Sequence, residues 1–184
     1  LLKMPARMLS LQARMYYRHA GPRILYDKML LSGIGASLLL PVAHTTRNMN
    51  NELLGLSKFL SYDSDRFKCA VGIPEDVDDA GVFLYNAMKQ IQVMAVKIHP
   101  NFCGMDLGGP TGKQWIESIL AAASRLHLPC LVHGGYSVLP NTGQRISYSC
   151  IENLCQIDWS ISDFPVIICH AGAYGCTFAE TTNR

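Results

Sequence analysis

The stretch Pro129-Cys130-Leu131-Val132-His133-Gly134-Gly135-Tyr136 decides how the rest of the chain is read. A short apolar run closed by glycines has the pattern of a buried parallel strand. Its histidine falls at the carboxyl end, the edge where parallel α/β sheets carry their chemistry. Alternation places Leu131 and His133 on one face and Cys130 and Val132 on the other. Gly134 and Gly135 leave room for a close backbone approach, read here as an approach to a ligand.

Working outward, the same pattern recurs. Ala36–Val42 (ASLLLPV), Phe67–Ile73 (FKCAVGI), Val93–His99 (VMAVKIH) and Val166–His170 (VIICH) are short apolar runs closed by glycine, proline or a polar loop. Helical spacing fills the gaps at Ile24–Ser32, Glu52–Tyr62, Val77–Gln92, Thr111–Leu126 and around Asn153–Ile157. Thr111-Gly112-Lys113-Gln114 has the T-x-x-Q form of a capping box. The repeat of strand, loop and helix comes at roughly 30-residue spacing, the size of a βαβ unit. Such units build either a closed barrel or a doubly wound sheet. No G-x-G-x-x-G follows a strand, so the expectation is an α/β fold of the (β/α)8 barrel type, incomplete over these five strands.

Composition narrows the class. In 184 residues, 49% are hydrophobic and 16% charged, as expected of one domain with well-covered strands. The net charge of +2 and the lack of a basic, aromatic-laced run argue against nucleic acid. Gly112-Lys113 lacks the glycine and hydroxyl residue of a phosphate loop. The seven cysteines include Cys69, Cys130 and Cys169 in apolar runs and no C-x-x-C, which points to free thiols in a reducing, cytoplasmic setting. The longest apolar stretch, Leu31–Ala43, is too broken and short to span a bilayer, which takes about 20 residues. Leu1–Tyr17 reads as an amphipathic basic helix within an N-terminal helical segment, 1–24, packed rather than membrane-bound. A first residue of Leu1 and an abrupt end at Arg184 suggest a piece of a longer protein. Two open sheet edges would then favour a homo-oligomer.

Three successive strand ends carry His99, His133 and His170, which a parallel sheet gathers at one rim. Imidazoles so gathered are candidate ligands for a divalent metal, most naturally zinc, which needs about three protein ligands and one open position when catalytic. Lys97, two residues before His99, is expensive on a buried face unless paired or modified, so Lys97 or His99 could serve the site. Asp106 and Arg145 lie in the two long rim loops and are candidates for touching a small-molecule substrate. His127, near a helix end, reads as a partner of the helix dipole. His44 follows the first strand, and neither it nor His19 has a context that assigns a role.

The segments Val96–Phe102 (VKIHPNF), Pro129–Gly135 (PCLVHGG) and Phe164–Gly175 (FPVIICHAGAYG) resemble successive strand ends of the amidohydrolase superfamily, in its amidohydrolase-related branch. The resemblance covers about residues 25–174. It implies a metal-dependent barrel with these strands as the second to sixth, and hydrolysis, decarboxylation or lysis of a small carboxylate, amide or lactone. It also implies His133 as metal ligand, His170 as ligand or acid/base, and Lys97 as the nearest match to a lysine that is carboxylated in some members. The H-x-H of the family's first strand is absent, as is the aspartate of its eighth. A catalytically silent fragment serving as a binding or assembly module is the alternative expectation.

Overall fold

The computed structural model describes residues 21–43, 45–136 and 147–174. The amphipathic segment 1–17, His19, His44 and Arg145 lie outside the described residues. Five parallel strands, β1 (Ser37–Leu39), β2 (Phe67–Gly72), β3 (Val93–Ile98), β4 (Cys130–Val132) and β5 (Val166–Ile168), form one curled sheet in the order β1-β2-β3-β4-β5. Strand order follows chain order without reversal, so every crossover runs the same way. Right-handed crossovers of that kind put their helices on a single face.

Those helices are α1 (Pro22–Leu31), α2 (Thr46–Tyr62), α3 (Ala80–Gln90), the single turn α4 (Pro100–Cys103), α5 (Pro110–Arg125) and the single turn α6 (Ile151–Leu154). Met49, Leu53 and Leu56 of α2, Leu84 and Ala87 of α3, and Ile116, Ile119 and Leu120 of α5 join Cys69, Val71, Val96, Ile98, Cys130 and Val132 in one core. These strand residues all point to one side of the pleat. Among the described residues, no helix is long and apolar enough to cross a membrane.

The expected (β/α)8 barrel is not what forms: the described residues make an open five-stranded sheet. Closing a barrel of that kind takes eight tilted strands with matched stagger, and β1 and β5 each have one neighbour. Local expectations also shift. Thr45 caps α2 by accepting from the Asn48 amide at 3.3 Å, so the polar run after the first strand is helical rather than a loop. Helix α5 starts at Pro110 behind Gly109, with no side-chain cap, so the T-x-x-Q box is unused. Proline at the first helical position supplies the start instead, since its ring presets φ and its missing N–H is not needed there. The first strand shortens to three residues.

At β5 the pairing Leu131↔Ile167 puts Ile167 on the face of Leu131, and Ile168 packs against the core. Counting back in twos from His170 would put Ile168 on the Leu131 face, and the pairing puts it on the opposite one. The strand also stops at Ile168, before His170.

Candidate functional site

The carboxyl ends of β3, β4 and β5 bring His99, His133 and His170 together. The His133 amide donates to the Ile98 carbonyl at 2.8 Å, extending the β3–β4 ladder one residue past the strand and setting His133 beside His99. Their rings stack face to face, with centroids 4.0 Å apart and planes 8° from parallel. His170 arrives by a different route. It and Ala171 take left-handed conformations (φ 58° and 51°) that fold the chain back after β5. Such backbone is strained for residues other than glycine. The fold-back sets the His170 ring edge-on to His133, with centroids 5.1 Å apart and planes at 68°. Tyr174 closes the group, 5.4 Å from the His133 ring and 4.7 Å from the His170 ring.

The glycines make this fold-back possible. A Cβ on Gly134 would meet Gly172 Cα at 2.7 Å, and one on Gly135 would meet the Tyr174 nitrogen at 2.2 Å. The backbone they admit is therefore the chain's own, not a ligand's. The Gly135 amide donates to Ser149 at 2.7 Å and the Tyr136 amide to Tyr174 at 2.7 Å, tying three segments into one rim. Beneath it, Ser149 and Asn101 are fully buried and hydrogen-bonded through the Ser149 hydroxyl and Asn101 Oδ1. The same hydroxyl reaches the Gly135 carbonyl at 3.1 Å.

Hydrogen bonds distinguish the imidazoles. The Phe102 amide donates to His99 Nδ1 at 3.3 Å, making His99 the N-cap of α4 and leaving its proton on Nε2. His133 Nε2 faces the Tyr136 carbonyl at 3.4 Å. A carbonyl can only accept, so Nε2 carries the proton and Nδ1 holds the lone pair. Burial, with repulsion from His133 and Lys97, pushes His99 down to about 3. Burial also pushes His133 down to about 4, despite the opposing bond to Tyr136. Both rings are therefore neutral near pH 7, the form that binds metals.

Geometry then tests the metal. At a metal–nitrogen distance of about 2.0–2.1 Å, each ligand ring centroid lies about 3.2 Å from the ion, and a tetrahedral pair has centroids about 5.2 Å apart. The 5.1 Å between His133 and His170 agrees with that pair in distance, and it is equally the spacing of an edge-to-face ring contact. The stacked His99 does not, because overlapped parallel rings cannot aim in-plane lone pairs at one ion, and its Nδ1 is already engaged. Among the described residues, no group of three or more His, Cys, Asp or Glu side chains is arranged to hold a metal. His99 is a neighbour whose stacking fixes the plane of His133.

Lys97 points onto the sheet face away from the helices, in register between Gly72 and Leu131. It is only 6% exposed, and its ammonium donates to Cys169 Sγ at 3.6 Å. Desolvation lowers its pKa, partly opposed by Cys169. Asp106 Oδ1 accepts from the Gly108 amide at 3.0 Å and from Asn153 Nδ2 at 3.2 Å, pinning the loop after α4 to α6. His127 sits past the end of α5 in a left-handed conformation, stacked on Phe164.

The residues not singled out from sequence are Asn101, Ser149, Cys169 and Tyr174. Nothing in their local pattern announces a role; each enters because a distant segment folds against the rim. Compared with protein-family models, curated proteins and solved structures, the chain matches none.

Proposed function

We propose that the rim of His133, His170 and Tyr174 is the site of a metal-assisted hydrolase, or a related decarboxylase or lyase, acting on a small carboxylate, amide or lactone. The amidohydrolase-related resemblance enters this proposal through the same two histidines. The observation that supports it best is the His133–His170 pair, whose 5.1 Å centroid separation suits two ligands of one zinc-like ion. His133 would bind through Nδ1, while its Nε2–H is held by the Tyr136 carbonyl. An oriented second nitrogen of that kind is what metal-binding imidazoles commonly have.

A bound divalent ion would supply Lewis acidity toward a carbonyl or an activated water. The chain's own groups do the rest. His99 stacks on His133 and holds its ring plane. His170, exposed at the rim, would hold the ion at the side from which a substrate arrives. Tyr174 packs against both imidazoles and limits the angles from which a ligand can enter.

Zinc titration by calorimetry tests the reading. The chain should bind one zinc per protomer, His133→Ala and His170→Ala should each weaken binding at least about tenfold, and His99→Asn should retain it. Equal zinc affinity in all four proteins would refute the ligand assignment.

A further inference from the structure

Lys97 is a buried amine whose side-chain partner is a thiol. Strand β4 lies between β3, which carries Lys97, and β5, which Cys169 follows. The lysine side chain therefore crosses the open face of β4 to bring Nζ within 3.6 Å of Sγ. No carboxylate is paired with Lys97 among the described residues. A buried ammonium without a carboxylate is unfavourable, so the contact is not explained as a stabilising ion pair. Cys169 is partly exposed, whereas Cys69, Cys103 and Cys130 are buried. Burial raises the thiols of Cys69 to about 11 and Cys130 to about 12, which leaves them inert. Cys169 is thus the thiol of this sheet that a small oxidant can reach, and it has a nitrogen, rather than a second sulfur, at contact distance.

We infer that Lys97 and Cys169 are a modification site, at which hydrogen peroxide drives formation of a reversible sulfur–nitrogen cross-link across β4. The Cys169 sulfur attacks peroxide, the O–O bond breaks, and sulfenic acid and one water result. The Lys97 amine then attacks the sulfenic sulfur; the S–N bond forms, the S–O bond breaks, and hydroxide leaves with the amine proton as a second water. Overall, one thiol, one amine and one peroxide give one sulfenamide and two waters. Two equivalents of a small thiol reverse it, restoring thiol and amine and leaving with one disulfide. The staple would tie β3 to the residue preceding His170, so the left-handed fold-back that carries that histidine would be held in one position while the link persists.

The test treats the full chain with a small excess of hydrogen peroxide, blocks remaining thiols, and maps tryptic peptides by mass spectrometry. The expected product joins the Lys97 and Cys169 peptides with the loss of two hydrogens, about 2 Da. Trypsin should no longer cut after Lys97, and dithiothreitol should restore both the cut and the free thiol. Lys97→Arg should abolish the linked peptide while Cys169 still oxidises. The wild-type map decides the matter even if that variant does not fold. Cys169 carried to sulfinic acid, paired with another cysteine, or left unoxidised, with the cut after Lys97 intact, would overturn the inference.

Discussion

On one face of the sheet, Cys69, Val71, Val96, Ile98, Cys130 and Val132 are all 0% exposed beneath the helices. On the other, Leu38 and Ile167 of the edge strands remain 37% and 52% exposed, while Ala70, Ala95 and Lys97 of the central strands are only 0%, 1% and 6% exposed. The strands are shared, so local β-propensity does not account for the contrast. Uniform crossover direction does: it sends the connecting helices to one side and leaves the other without a helical layer. The apolar face holds the fold, and the face and rim opposite hold the candidate chemistry.

The strongest way to break this contrast is to remove bulk from the sealed face. Phe67, at 0% exposure and in edge-to-face contact with Phe59, should lose about 3–5 kcal/mol of stability on Phe67→Ala. Urea denaturation should show a lower midpoint with an unchanged slope. A loss below about 1 kcal/mol would mean that the helix-covered face is not the core.

The rim should be sharpened by acid. His99 and His133 fall to about 3 and 4 in the folded state, from an ordinary 6.5. Below pH 6.5 the unfolded chain therefore takes up protons that the folded rim refuses, and stability falls as pH drops. The loss begins as pH falls below about 6.5 and continues down to about 3 in the metal-free protein. His99→Asn keeps an acceptor for the Phe102 amide and removes one titrating ring, so the pH slope should flatten. An identical slope in that variant would remove His99 from the acid response.

The smallest effect is expected on the open face. Ile167→Ala, on a side chain 52% exposed, should change stability by less than about 1 kcal/mol. Ile168→Ala, one residue on and packed against the core, should cost more. Equal losses at the two positions, read from thermal midpoints, would contradict the register at β5.

Much of this architecture was legible in the residues, because short-range pattern and breakers carry it. The runs Phe67–Ile73 and Val93–His99 locate β2 and β3 to within a residue, since apolar blocks stopped by proline have few other solutions. Placing His99 and His133 at the ends of parallel strands puts them side by side, whereas His170 reaches them only through the fold-back after β5. Taken alone, polar Thr45–Asn51 reads as a loop because asparagine and threonine favour caps and turns, yet the burial of Met49 within it and Leu53 beyond it wins the segment for the helix.

What the sequence by itself determined is the alternation of strands and helices and the identity of the three histidines. Both are written in side-chain periodicity and in breakers only a few residues apart. Tertiary structure alone decided how many strands associate, that His99 stacks as a cap while His133 and His170 pair, and that Lys97 meets Cys169. Those outcomes depend on crossover direction, on a left-handed fold-back at His170, and on glycines that let Tyr174 approach Gly135. Each joins segments 30 or more residues apart, where no local pattern carries the distance or the angle.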